Sequence, residues 1–200
     1  MKAVMSVVPE HILKWRRRVG IDRYDEMWEG VLHMAPSPNR EHQDFEGELE
    51  FWLRLHWAMP NGCRVYHEIN VAEAGMWPDN YRIPDLVLLT PARFDIDRNE
   101  YFNGGPDVVV EIRSPDDESY EKFAFYSKVG VCEVWVLDRD TRQPEIFELT
   151  GDGYESLRPA GDGWVRSQVV GCEMRTAADG RLEIRLVDRT DTLARIPSMV

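Results

Sequence analysis

Two hundred residues, 43% hydrophobic and 30% charged with 14 Gly and 12 Pro, exclude collagen-like and disordered chains. They suffice for one domain, or at most two, that buries about 70% of the surface exposed on unfolding. The net charge of −12 excludes a broad basic face, yet residues 1–20 carry Lys2, Lys14, Arg16, Arg17 and Arg18 against Glu10, so this stretch is +4 and the rest −16.

Met1 to Val8 is apolar, but Pro9, Glu10 and His11 follow at once and the basic cluster lies downstream, the reverse of a secretion signal. Residues 9–19 are predicted to form a short basic helix, with Pro9 in its first turn, Glu10 at the positive dipole end, the arginines in the last turn and Gly20 stopping it. Val31 to Met34 reads as a strand closed by the turn Pro36-Ser37-Pro38. Over residues 40–58, His42, Phe45, Leu49, Trp52, Leu53 and His56 recur every three or four positions and share one helical face, while Asp44, Glu48 and Arg54 point elsewhere. Pro60-Asn61-Gly62 ends this helix. Strands follow at 63–71, 86–89 and 108–112, the last two being nearly continuous apolar runs, as expected of strands covered on both faces. A second helix over 119–129 turns Phe123, Tyr126 and Val129 inward and ends at Gly130. A buried strand at 131–137 and an antiparallel neighbour at 145–149 come next, and residues 150–200 read as short strands between Gly-Asp-Gly turns at 151–153 and 161–163. No uncharged apolar run approaches the ~20 residues of a spanning helix, so no membrane partner is expected. Three cysteines, Cys63, Cys132 and Cys172, are an odd number without a C-x-x-C pair, which fits neither a disulfide framework nor a zinc site and points to a reducing cytoplasm. The order of elements predicts an α/β layer fold with a mixed sheet: a basic N-terminal helix (1–20), a main body (21–150) and a C-terminal β extension of the same domain (151–200).

Glu111 interrupts an otherwise apolar strand, and a charge there needs a partner. Asp85, in Ile83-Pro84-Asp85, opens the preceding strand. If the two strands are neighbours, both carboxylates meet at one end of the sheet, where they suit Mg²⁺, or Mn²⁺, an ion that keeps several waters and takes one or two protein oxygens. Such an ion lowers the pKa of a bound water and neutralises charge developing on a phosphate. The competing reading is a core salt bridge at Glu111 and a turn cap at Asp85, and spacing alone leaves both open.

Five segments occur in this order: Tyr24-Asp25-Glu26-Met27-Trp28-Glu29-Gly30-Val31-Leu32; Pro36-Ser37-Pro38 with Glu41-His42-Gln43; Asn80-Tyr81-Arg82-Ile83-Pro84-Asp85-Leu86-Val87; Val109-Val110-Glu111-Ile112-Arg113-Ser114-Pro115; and Asp117-Glu118-Ser119-Tyr120-Glu121-Lys122 running on to Tyr126 and Gly130. Together they resemble the Uma-two family, bacterial proteins classed as endonucleases in the PD-(D/E)XK restriction-endonuclease-like superfamily. The resemblance covers residues 10–175, including Ser167-Gln168-Val169-Val170-Gly171. It implies a mixed sheet flanked by helices and a metal-dependent endonuclease, in which Asp85 and Glu111 bind the ion and water activated by it attacks a DNA phosphodiester. The superfamily lysine lies two residues after the glutamate, where this chain has Arg113, which does not easily give up a proton. The family resemblance places the working lysine at Lys122 in the next helix, to hold the attacking hydroxide or stabilise the pentavalent phosphate.

Several neighbours carry two readings each. Arg113 shares a strand face with Glu111 and is read first as a salt-bridge partner. His42 is a core histidine or a catalytic one; Glu46 and Glu48 are extra metal contacts or solvent-facing; Glu26 and Glu29 match acidic positions of the first family motif and serve the sheet or the metal. Tyr120 faces substrate or packs, and Trp52 and Trp135 sit at core spacing. Arg16, Arg17 and Arg18 guide DNA past an acidic body, or pair with surface carboxylates. Cutting both strands of a duplex with one site per chain calls for a homodimer. The alternative to an enzyme is an inactive descendant that keeps the nuclease fold as a binding or assembly module, which the net charge favours. A metal-free two-carboxylate glycosidase is set aside on the strand-end placement and Lys122.

Overall fold

The computed structural model describes residues 3–5, 8–35, 37–115, 117–151 and 153–198. Lys2 of the basic segment, and Pro36 and Asp152 of two predicted turns, lie outside the described residues.

After β1 (Ala3–Met5), helix α1 (Glu10–Val19) ends at Gly20, whose left-handed φ of 70° lets its N–H reach the carbonyls of Arg16 and Arg17. Strands β2 (Asp25–Trp28) and β3 (Val31–Met34) form an antiparallel hairpin. Only β3 is legible in the sequence, because two of the four β2 residues, Asp25 and Glu26, are buried acids. Helix α2 (Arg40–Leu53) is capped by Asn39, whose side chain accepts from the His42 N–H at 2.9 Å. It continues through a π-helical turn (Arg54–Ala58) into α3 (Met59–Asn61). The wider turn rotates the inner face, so Trp57 and Ala58 are buried where the periodicity predicts His56.

The strand predicted over 63–71 is two strands in different sheets, β4 (Arg64–His67) and β5 (Asn70–Ala72), parted by Glu68 at a φ of 48°. There follow β6 (Tyr81–Arg82), β7 (Leu86–Leu89), β8 (Tyr101–Asn103) and β9 (Val108–Arg113). A 3-10 turn (Tyr120–Lys122) leads into α4 (Phe123–Val129), which buries Phe125 and Tyr126 and leaves Phe123 and Val129 half-buried. The rest is β10 (Glu133–Asp138), β11 (Pro144–Thr150), β12 (Gly153–Ser156), β13 (Val165–Arg166), β14 (Cys172–Thr176), β15 (Leu182–Leu186) and β16 (Arg189–Ile196).

The central sheet has the order β12-β11-β10-β9-β7-β4 and is mixed, with β9 and β10 parallel and the other pairs antiparallel. A second sheet has the order β1-β3-β2-β6-β5-β8, and its strands alternate along the chain with β4, β7 and β9 of the central one. The added C-terminal strand region is present: β12 extends the central sheet after residue 150, and β13 to β16 form an antiparallel sheet of their own. The reason is packing: Phe45, Leu49 and Trp52 of α2 share one core with Leu86, Leu88, Val110 and Trp135 of the central sheet and with Met174, Ile184 and Ile196 of the C-terminal one. Val87, Val109, Val134 and Val136 on the opposite face are covered by Phe125 and Tyr126 of α4. Both faces of β7 and β9 are therefore dry, as their unbroken apolar runs predict. The Trp52 indole N–H donates to the Thr192 carbonyl at 2.8 Å, tying α2 to β16.

Candidate active site

Antiparallel pairing sets Leu86 of β7 opposite Val110 of β9. Asp85, one residue before β7, therefore meets the end of β9, and its Oδ2 accepts the Ile112 N–H at 2.5 Å. The other oxygen, Oδ1, lies 2.9 Å from His42 Nε2. Burial acts to lower the His42 pKa, but the bond to Asp85 and its charge outweigh that and raise it. One helical turn after His42 stands Glu46, 7% exposed. Donor atoms of His42, Glu46 and Asp85 all lie within 4.8 Å of one another. Among the described residues none donates a hydrogen bond to Glu46. Burial, with the charges of Asp85, Glu68 and Glu50, pushes its carboxyl up to about 8.

Glu111 is 4% exposed. Both its oxygens accept from Lys122 Nζ at 3.0 Å, and the Tyr126 hydroxyl donates to Oε1. Lys122 also lies 2.9 Å from Glu26 Oε1, and Glu26 in turn accepts from the Ile83 N–H (2.8 Å) and the Trp28 indole (2.6 Å). One buried ammonium thus bridges two carboxylates. Burial opposes its charge, but Glu111 and Glu26 outweigh that and raise its pKa, so Lys122 is a fixed cation. Burial raises the Glu111 carboxyl; Lys122 pulls it down, Asp85 and Glu26 push it up, and the net direction is up. Glu26, His42, Asp85, Glu111 and Lys122 line a cavity of about 380 Å³, whose wall also includes His33 and Glu118.

The structure thus places Asp85, Glu111, Lys122 and His42 around one site, together with Glu46 and Glu26, which the sequence left with two readings each. It does not bring in the other sequence candidates. Arg113 pairs with Asp138 on β10 at 3.0 Å, the salt-bridge reading with a different partner strand. Tyr120 is 41% exposed and donates to Glu145. Glu29 occupies the β2–β3 turn at a φ of 52°, its N–H bound to Asn80. Glu48 accepts from the N–H and hydroxyl of Ser198. Arg16 is committed to Asp25 through two hydrogen bonds (2.6 and 2.5 Å), which removes it from the group expected to meet DNA; Arg17 and Arg18 are exposed. Sequence reasoning gave His33 and Glu118 no role, and no spacing signal joins residues 85 positions apart.

A mixed sheet flanked by helices, with Asp85 before β7 and Glu111 in the adjacent β9 lining one cavity beside a lysine from the turn before α4, is the arrangement of a restriction-endonuclease-like α/β protein. The family model Uma2, described as "Putative restriction endonuclease", matches residues 10–178, and the chain belongs to that family. A crystal structure described as "a putative nuclease belonging to DUF820 from Anabaena variabilis" is similar in fold. It has a TM-score of 0.59 and 20% sequence identity, covering 73% of this chain and 82% of that one. No curated protein matches the chain.

Proposed function

We propose that the chain is a divalent-metal-dependent endonuclease acting on DNA. Family membership supports the reaction class. The observation that carries the metal is Glu46: a carboxyl 7% exposed, with no hydrogen-bond donor among the described residues and with ligand atoms of Asp85 and His42 within 4.8 Å, is a place where a cation would offset the burial and crowded negative charge that raise its pKa. The donor set fits Mg²⁺ or Mn²⁺, with the imidazole tilting it toward Mn²⁺. Asp85, Glu46 and His42 would hold the ion, and Glu111, whose Oε2 accepts from Lys122 alone, lines the adjoining cavity. When bound, the ion supplies Lewis acidity that lowers the pKa of water and offsets charge on the phosphate. The chain does the rest. The Ile112 N–H and His42 fix the Asp85 carboxylate on both oxygens, and Lys122 holds Glu111 while presenting a permanent positive charge to the cavity floor.

Calorimetric titration of Mg²⁺ and Mn²⁺ tests this, with plasmid cleavage run in parallel. Wild type should bind one or more ions and nick DNA; Asp85→Ala and Glu46→Gln should bind at least roughly tenfold more weakly. A wild type that binds neither ion overturns the reading. The second reading, a nuclease fold kept as a binding module, is favoured by the net charge of −12; metal binding without any cleavage would support it.

A further inference from the structure

We propose that His33, oriented by Glu118, is the acid that protonates the leaving oxygen in phosphodiester hydrolysis; the inference rests on the nuclease reading and deepens it. Both side chains line the cavity that holds Asp85, Glu111 and Lys122, and neither belongs to the machinery already described. His33 on β3 is the cross-strand neighbour of Glu26 on β2, whose carboxylate holds Lys122 at 2.9 Å. Glu118 holds His33, which stands across the strand pair from Glu26; Glu26 and Glu111 share Lys122; and Asp85 bonds His42 and the N–H of Ile112, the residue after Glu111. A phosphate seated along these groups meets a histidine–carboxylate pair at each end. In-line displacement asks for that, because the attacking and leaving oxygens lie on opposite sides of phosphorus.

The His33 ring is held for such a task. It stacks flat on Trp28, with centroids 4.0 Å apart and 10° between planes. Nδ1 lies 2.8 Å from a Glu118 carboxylate oxygen, so Nδ1 carries a proton and Nε2 is the exchangeable nitrogen. The side chain keeps 13% exposure at the cavity wall. The charged groups around it are Glu118 from the loop before α4, Glu26 from β2 and Lys122, while Arg82 stacks on the same indole at 4.2 Å. In the step, a water oxygen bonds to phosphorus and the bridging P–O bond breaks with its electron pair moving to the leaving oxygen. The imidazolium Nε2 proton passes to that oxygen, and His33 regains from solvent the proton that the attacking water released. Glu118 is a positioning residue that fixes the orientation of the His33 ring.

The test replaces the bridging leaving oxygen, 3′ or 5′ as the products show, by sulfur, which leaves as thiolate without needing a proton. His33→Gln should slow cleavage of the all-oxygen duplex by roughly 100-fold or more, and of the sulfur-bridged duplex by less than about fivefold. DNA affinity measured in Ca²⁺ should stay at the wild-type value. Glu118→Gln should show the same selective loss in smaller measure. If His33→Gln does not fold, His33→Phe, which keeps the stack on Trp28, is read in the same way. Equal losses on both substrates, or no loss, overturn the role of His33 and leave the nuclease reading standing. A wild type that cleaves neither substrate overturns that reading and this inference together.

Discussion

At Lys122 the sequence and the structure agree on the residue and differ on the job. Family resemblance offers a lysine near the attacking water, but the ammonium is locked between Glu26 and Glu111 and stays charged. Removing it strands two buried carboxylates, so Lys122→Met should lower folding stability by about 3–5 kcal/mol, read as a shift of the urea midpoint at constant m-value. A change within experimental error would show the ion pair to be energetically idle. Asp85 and Glu111 were legible because a carboxylate at the mouth of, or inside, an apolar strand is costly and therefore informative. His42 and Glu46 carried a signal too, four residues apart on one helix face. What spacing could not supply was the missing partner of Glu46, a property of the folded surroundings alone.

Among the elements, those with strong periodicity were legible: α1, the first turns of α2, β7, β9, β10 and β11. The misses share a cause, which is that local pattern is blind to which sheet a strand joins. Residues 63–71 are one apolar stretch in the sequence and two strands in space because Glu68 turns the chain with a positive φ. The C-terminal sheet is fastened by Glu133 of β10, whose carboxylate accepts from Trp135, the Ser167 hydroxyl and the N–H groups of Gln168 and Val169. Within that sheet Glu183 is flanked cross-strand by Arg175 and Arg195, with bonds of 2.7 and 2.9 Å. Burial acts to raise its carboxyl, but the two arginines outweigh that and depress it below its ordinary 4.5. A depressed carboxyl contributes stability that is present above the unfolded value and lost as pH falls through the folded one. Glu183→Gln should therefore be less stable than wild type at about pH 6 and converge with it near about pH 3, as melting temperatures across that range will tell. Parallel curves would remove Glu183 from the account.

For the whole molecule the net charge of −12 is the main obstacle to a DNA substrate, and the exposed Arg17 and Arg18 are the side chains that the basic segment has left to offset it. The double variant Arg17→Gln/Arg18→Gln should weaken duplex binding and flatten the dependence of log K on log salt by up to about two units, since each phosphate contact contributes about one. Affinities at several salt concentrations in Ca²⁺ measure this, and an unchanged slope leaves the pair as ordinary surface charge. We also expect a homodimer in a cytoplasmic setting, because one site per chain cuts one strand at a time. Light scattering that gives a monomer with full double-strand cleavage would count against it.

The wide turn at Arg54–Ala58 joins helix α2 to α3 and lets the two ends of this helical run take independent phase. In α2 the phase is dictated by the donor cluster, which needs His42 and Glu46 on one side; in the turn it is dictated by the core, which needs Trp57. A regular helix would have to satisfy both demands with a single rotation. With the slack placed between them, a residue gained or lost after Leu53 re-aims the distal part alone, so length changes there are absorbed before they reach the donor atoms.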